Sequence, residues 1–499
     1  MIGAKERMDT MANTPLNVVW FCTDQQRWDT IHALGNPYIH TPNIDRLIKE
    51  GVAFTNAYTQ SPICTPSRAS FLTGRYPRST KMFYNGNDIC SKDEVLITKL
   101  MADQGYTCGL TGKLHLSSAA GRMERRMDDG YSYMRWSHHP HDDWAPGVNH
   151  YQDWLKEQGI DWKKAYGGRY TSMSKWPPEE NEGFSGKEVG IEAQYHQTTW
   201  CVTEAINFIE QTGDKPWLVS INTFDPHPPL DPPQSYKDRL KVEDMPLPLW
   251  KEGELDKKPP HQQRDYVIGG QNGATDSITI MTDEDKREKI RDYYAEIELI
   301  DDQLGRLIDY LDETGKRENT LVIFMSDHGE MSGDHGLYWK GAYFYEALTH
   351  VPLVLSCPSR IKTGLVLDTL VELVDIAPTI LELCGLERPM GMQGKSLVPV
   401  LKGETYHHKD HVYCEFYSCL TGCHDDLFGT MYYDGRYKLV VFHGKPYGEL
   451  YDLEKDPHEF ENLWDNPDYE QLKNELIRKD FDNAIMSNMD FSLNKLYSY

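Results

Sequence analysis

Asn17-Val18-Val19-Trp20-Phe21-Cys22-Thr23-Asp24-Gln25 is the stretch from which the fold is read. Asn17 to Cys22 reads as a strand buried on both faces, because Asn17 opens the unbroken apolar run Val18–Cys22, and the stretch ends in the polar pair Asp24 and Gln25. Next comes Thr41-Pro-Asn-Ile-Asp-Arg-Leu-Ile-Lys-Glu-Gly, which reads as a helix with Thr41 at the cap, Pro42 in the first turn and Gly51 at the end. The alternation continues. Strands are expected at 107–110, 217–222, 321–325 and 352–355, and helices near 95–104, 193–212, 286–314 and 374–384. Such alternation marks an α/β fold, a sheet covered by helices on both faces. After about residue 405 the pattern changes. Val412-Tyr-Cys-Glu-Phe and Arg436-Tyr-Lys-Leu-Val-Val-Phe read as strands, Asp434-Gly435 as a hairpin turn, and a polar helix follows, which predicts a smaller antiparallel sheet plus helix.

Four of the expected strands end in chemically capable residues. Asp24 follows the first, Lys113 and His115 follow 107–110, His227 follows 217–222, and Asp327 and His328 follow 321–325. In open α/β sheets the binding crevice lies beyond the carboxyl ends of the strands, so these distant residues converge there. Cys64 belongs with them. Pro66 suits the first turn of a helix that Ser67-Arg68-Ala-Ser-Phe-Leu continues, which puts position 64 where backbone N–H groups gather anionic oxygens. By itself Cys64 reads either as a buried thiol or as a thiolate nucleophile at a helix N-terminus. The Asp-Gln and Asp-His pairs alone are loop caps; at two strand ends beside Cys64 they suit a cation.

Cys64-Thr65-Pro66-Ser67-Arg68, followed by Ala69-Ser70-Phe71-Leu72-Thr73-Gly74-Arg75, resembles the Cys-x-Pro-Ser-Arg signature of the type I sulfatases. The order of the other motifs is similar too: Lys113 and His115 in Gly-Lys-Leu-His, His227 in Asp-Pro-His-Pro-Pro, Asp327 and His328 in Asp-His-Gly-Glu, and Lys340 in Tyr-Trp-Lys-Gly. Leu450-Tyr-Asp-Leu-Glu-Lys-Asp-Pro to Asn462-Leu463 resembles the family's C-terminal motif, so the likeness covers nearly the whole chain. It implies an alkaline-phosphatase-like fold: a large, mixed, mostly parallel sheet sandwiched by helices in a catalytic domain over 14–405, and a C-terminal subdomain over 406–499. It also implies that a maturation enzyme oxidises Cys64 to formylglycine, whose hydrated aldehyde is the family's nucleophile in cleaving sulfate esters.

The resemblance further implies one divalent cation held by Asp24, Gln25, Asp327 and His328, with Cys64 as the fifth ligand position. Calcium is the family's common ion, and the nitrogen of His328 admits manganese or zinc. Gln25 and His328 depart from the commoner Asp and Asn, and the same departures occur in phosphonate monoester hydrolases, so a phosphonate monoester or phosphodiester substrate is the alternative. A third reading is an anion-binding scaffold without catalysis. In the family's chemistry Arg68 and Lys113 hold the transferring group's oxygens, His115 deprotonates the second hydroxyl, and His227 with Lys340 protonates the leaving alcohol. Asn85, in Tyr-Asn-Gly-Asn, stands where some relatives place a substrate contact, although Asn-Gly is also a turn signal. His350 stands where relatives often carry Arg and receives no role.

Composition narrows the partners. Charged residues make up 26% and apolar residues 39% of the 499, as in an ordinary globular protein. A net charge of -25 argues against non-specific nucleic-acid binding and adsorption to anionic membranes, so a small anionic substrate needs a local cationic pocket. No run approaches the roughly 18 to 20 apolar residues of a membrane span. The polar N-terminus lacks a signal-type apolar core, which gives a cytoplasmic expectation. The ten cysteines lie mostly in apolar runs, as buried free thiols do. Cys414, Cys419, Cys423 and His424 suggest zinc by proximity, but their spacing is not that of a finger or ribbon, and ordinary thiols are the better reading. Residues 117–190 read as an irregular, substrate-facing insert. Its His138, His139, His141 and Asp142 lack the spacing to converge on a second metal.

Overall fold

β1 (Asn17–Thr23) is buried at every residue but Asn17 and lies at the middle of the main sheet. The computed structural model describes residues 14–487 apart from 88–93, 120–122, 141, 143, 166–189, 274, 276 and 421. In chain order the further strands are β2 (Val52–Phe54), β3 (Ala57–Tyr58), β4 (Thr107–Gly112), β5 (Tyr133–Trp136), β6 (Trp217–Asn222), β7 (Thr320–Ser326), β8 (Leu353–Ser356), β9 (Leu365–Leu367) and β10 (Val371–Glu372). The main sheet has the order β5-β4-β6-β1-β7-β8-β2-β9, with β3 and β10 paired separately. Only β8 opposes its neighbours; the rest run parallel. Thr23 is level with Ser326, Cys22 with Asn222, and Asn222 with Gly112. Parallel strands that end level deliver the next residues of four chain segments to one rim.

Because side chains alternate along β1, each sheet face takes every second residue. Val18, Trp20 and Cys22 join a core formed with α2 (Cys64–Thr73) and α5 (Ile376–Leu383). Val19 and Phe21 join the opposite core, covered by α1 (Pro42–Lys49), α3 (Gln197–Thr212) and α4 (Asp283–Glu313). The expected helices and strands are present with shifted ends.

Thr41 and Gly51 stand at the two ends of α1 as read, but each serves there in a way that the sequence does not display. Thr41 occupies the cap position of α1, yet its side chain makes no capping bond; the backbone N–H groups of Asn43 and Ile44 donate to Asp301 of α4 instead. Gly51 does not end the helix in a left-handed turn; it is needed because an added Cβ would collide with Leu355 O of β8.

The insert also differs from its reading. Residues 133–136 form β5, an edge strand paired with β4, and Tyr131, Trp136 and Trp144 are core residues. Aromatic side chains buried against the sheet outweigh the Pro- and Gly-rich composition that suggested loop. After residue 405, β11 (Val412–Tyr417), β12 (Phe428–Tyr433), β13 (Tyr437–Phe442) and β14 (Gly448–Asp452) form an antiparallel sheet in that order, backed by α6 (Glu470–Ser487) through Leu476. The buried Lys438 Nζ ties this sheet to the main body through Glu346 (2.5 Å) and is paired within the C-terminal part with Glu459 (2.8 Å). Among the described residues no helix is long and apolar enough to cross a membrane.

Candidate active site

Cys64 is the first residue of α2, a helix buried along its whole length. Its Sγ lies 3.1 Å from His328 Nε2, 3.0 Å from Lys340 Nζ, 3.7 Å from Asp24 Oδ1 and 3.9 Å from Lys113 Nζ. Asp24, Lys113 and His328 follow β1, β4 and β7 within two residues, so the parallel register brings them to the helix start, and Lys340 reaches it from the loop after β7. Burial and the Asp24 charge push the Cys64 thiol up, but Lys113, Lys340 and His328 outweigh them and hold its pKa below the ordinary value.

Asp24, Cys64, Asp327 and His328 offer donor atoms within 4.8 Å of one another, and all four residues are buried. Arg68, fully buried, bridges the two carboxylates: Nε donates to Asp327 Oδ2 at 2.8 Å and Nη2 to Asp24 Oδ2 at 3.1 Å. Lys113 Nζ donates to the same Asp24 oxygen at 2.5 Å. Burial opposes the Asp24 charge, yet Lys113 and Arg68 prevail and hold its carboxyl well below the usual range. His328 Nδ1 donates to Gly329 O at 2.8 Å, so Nε2 is the ring nitrogen that faces Sγ. Gln25 N donates to Asp327 Oδ1, and Gln25 Oε1 accepts from Lys340 Nζ at 2.7 Å.

Two further histidines carry free ring nitrogens. His227 Nδ1 donates to Pro228 O at 2.7 Å, leaving Nε2 for exchange. Burial, then Lys340, lowers its pKa well below that of an ordinary histidine, so the resting ring is neutral. His115 is also driven down, by burial and then by Lys113 and Arg68, and its buried Nδ1 has no hydrogen-bond partner. Its backbone is left-handed at φ 57°, and its ring packs edge-on to His138 at 4.9 Å.

The remaining sequence candidates separate cleanly. Asn85 sits beside the site, partly exposed: its Oδ1 accepts from Thr65 Oγ1 at 3.4 Å and its N–H donates to Cys419 O. His350 is stacked between Trp28 and Tyr58 at 4.4 and 4.8 Å, a packing position. His424 bonds Asp265 and accepts from Ala342 N, and it forms no metal-holding group with Cys414, Cys419 and Cys423 among the described residues. Cys22, Cys64, Cys108, Cys201, Cys357, Cys384, Cys414 and Cys419 are free thiols. His138 and His139 face one another through Nδ1 at 2.6 Å, but with Asp142 they form no such group, and His141 lies outside the described residues.

Two carboxylates were not singled out in the sequence. Glu124 accepts from three successive backbone N–H groups, His115 (2.7 Å), Leu116 (2.8 Å) and Ser117 (3.2 Å), and from Trp136 Nε1 (2.8 Å). Glu330 accepts from Gln25 Nε2, Ser332 N and Trp339 N. Glu330 closes the Asp-His-Gly-Glu motif, a signal that was present; Glu124, inside the insert, carries none.

A helix-terminal cysteine, two Arg-bridged carboxylates and a cationic surround at the strand ends of an α/β sheet define a hydrolase of anionic esters. The sulfatase family model matches residues 16–386, and a model for the C-terminal part of N-sulphoglucosamine sulphohydrolase matches 333–484. The chain belongs to the sulfatase family, whose enzymes are sulfuric ester hydrolases. It is 31% identical to an arylsulfatase of Clostridium perfringens over 91% of each chain, and 29% identical to a multifunctional alkaline phosphatase superfamily protein of Trinickia caryophylli over 93% of this chain and 94% of that one. Among solved structures, a phosphonate monoester hydrolase of Agrobacterium radiobacter superposes with a TM-score of 0.81 at 25% identity, covering 96% of this chain and 97% of that one.

Proposed function

We propose that this protein hydrolyses sulfate monoesters with formylglycine made from Cys64, releasing sulfate and an alcohol. The observation that carries the reading is the position of Cys64 Sγ, within 3.0 to 3.9 Å of two lysines, an imidazole and a carboxylate. A serine or thiol there would be left holding a stable ester, whereas a hydrated aldehyde expels sulfate by collapsing to the carbonyl.

The donor set suits a divalent cation, proposed as calcium with manganese or zinc as alternatives: carboxylates of Asp24 and Asp327, the amide oxygen of Gln25 and Nε2 of His328. When bound, such an ion supplies Lewis acidity to a neighbouring hydroxyl and to a sulfate oxygen. The chain's own residues do the rest. Arg68 aligns the two carboxylates and offsets their charge, so gripping the transferring oxygens falls to Lys113 and Lys340. Each ammonium has three donors, and Lys113 uses one on Asp24. Neutral His115 is in the state that accepts a proton from the second hydroxyl. An arriving anion raises the pKa of His227, whose Nε2 then passes a proton to the leaving oxygen, with Lys340 beside it. Asn85, partly exposed beside Thr65, is the proposed substrate contact.

A phosphonate monoester or phosphodiester is the second reading, favoured by the 0.81 TM-score to a phosphonate monoester hydrolase and by the Gln25–His328 combination. Two measurements test the proposals. Mass spectrometry of the active protein should show a loss of about 18 Da on the Cys64 peptide. Rates on an aryl sulfate and the matching aryl phosphonate should favour the sulfate. Full activity with an intact thiol would overturn the formylglycine reading, and preference for the phosphonate would replace the substrate class.

A further inference from the structure

We infer that Glu330 is a positioning residue that fixes which end of the Gln25 amide faces the site, and that positions 25 and 330 work as a donor–acceptor pair. The inference rests on the proposed reading of Gln25 as a cation ligand. The two ends of a glutamine amide are nearly isosteric, so its neighbours decide its orientation. Here they decide it twice. A carboxylate only accepts, so Glu330 Oε2 demands the Nε2 end. An ammonium only donates, so Lys340 Nζ, 2.7 Å away, demands Oε1. The oxygen thereby shares Lys340 Nζ with Cys64 Sγ and His328 Nε2, which the ammonium approaches to 3.0 and 3.5 Å.

Glu330 is itself immobilised. It is 4% exposed, and its Oε1 accepts from Ser332 N at 3.0 Å and Trp339 N at 2.5 Å. Trp339 directly precedes Lys340, so one carboxylate orients Gln25 and anchors the loop that carries the lysine. The pairing also accounts for the glutamine. A carboxylate at position 25 would meet the carboxylate of Glu330, whereas the amide offers it a donor.

The test is calorimetric titration of the isolated protein with Ca²⁺ alone and with Mn²⁺ alone, accompanied by melting temperatures. In Glu330→Gln the new amide still gives its oxygen to Ser332 N and Trp339 N, so its NH₂ faces Gln25. Gln25 must then turn its own oxygen outward and present NH₂, which cannot ligate. Affinity should fall by about 10- to 100-fold, as for other groups that orient metal ligands, with little change in melting temperature. Gln25→Glu alone should also weaken binding, because it sets two carboxylates together. The double variant Gln25→Glu/Glu330→Gln restores the donor–acceptor match with its polarity reversed, and should bind at least as tightly as the wild type.

Unchanged affinity in Glu330→Gln would overturn the inference. So would a double variant that binds no better than the single ones, the outcome expected if Glu330 only braces its loop. A wild-type chain that binds neither ion would overturn it together with the reading of Gln25 as a ligand. The titrations need no turnover: a chain that shows the binding pattern but cleaves no sulfate ester would sink the proposed substrate class and leave this inference standing.

Discussion

His227 gives its Nδ1 proton to Pro228 O, so any proton exchanged with a substrate passes through Nε2. In His227→Ala, kcat/KM should fall by about 10²- to 10⁴-fold for sulfate esters of poorly leaving alcohols, and far less for an activated aryl sulfate, which departs as a stable anion. A leaving-group series checks this; an unchanged slope would mean that His227 only positions the substrate. Glu124 acts at one remove. Its carboxylate takes the N–H groups of His115, Leu116 and Ser117 and so holds His115 in a left-handed backbone. Glu124→Ala leaves these groups buried without an acceptor, at about 1–3 kcal/mol each. Urea unfolding should show a loss of several kcal/mol, and steady-state kinetics a fall in kcat with KM nearly unchanged.

At the scale of the elements, the site depends on how β4 ends beside β6. Gly112 has φ 97°, and a Cβ there would strike the carbonyl oxygen of Asn222. That same carbonyl accepts from Lys113 N at 2.9 Å, while Asn222 Nδ2 donates to Lys113 O at 2.7 Å. Gly112→Ala should therefore displace Lys113 and cost about 1–3 kcal/mol from backbone strain alone. Its kcat/KM should drop equally across the leaving-group series, since Lys113 serves the anion rather than the alcohol; a steeper slope would contradict that role. The elements differ in how visible they are in the chain. β1 is legible because burial on both faces leaves an unbroken apolar run. β5 is not: it is a four-residue edge strand with Arg135 exposed, and its pairing with β4 decides its conformation. Thr41 stands at the cap of α1 as read, but the hydrogen bonds to the helix start come from Asp301 on another helix, which the local sequence does not display.

Across the whole molecule, several acids outside the Cys64 cluster are buried. Burial is the largest cause in each case, and it pushes Asp301, Glu415 and Asp480 up to about 7. Their folded pKa values lie above the unfolded ones, near 4. Between about pH 4 and 7 the folded state thus holds more protons than the unfolded state, so stability is full at the low end and is lost as pH rises through 7. Buried histidines with depressed pKa values, such as His115, His227 and His261, raise stability as pH climbs toward 6.5, whereas the three acids make melting temperature decline from pH 5 to 7 and level off above 8. The net charge of -25 acts in the same direction as the acids, so a variant must separate these effects. Asp480→Asn, which removes one buried acid, should flatten the decline; an unchanged slope would show that Asp480 does not titrate in this range.

The chain by itself determined the alternation of strands and helices, the change to an antiparallel sheet after residue 405, and the chemistry at the strand ends. Those features are local: periodicity, turn residues and short motifs are written in neighbouring positions. It also named the residues that gather around Cys64, because parallel strands put their last residues on one rim. What only the tertiary structure decided is how each group is spent. Arg68 could be read as a grip on the substrate, but it is fully buried between Asp24 and Asp327, the latter 259 residues away. Gln25 could be read as a ligand, but the orientation of its amide is set by Glu330, 305 residues away, and by Lys340. A hydrogen bond depends on distance and angle between atoms, and for partners so far apart in the chain these are settled only when the sheet closes.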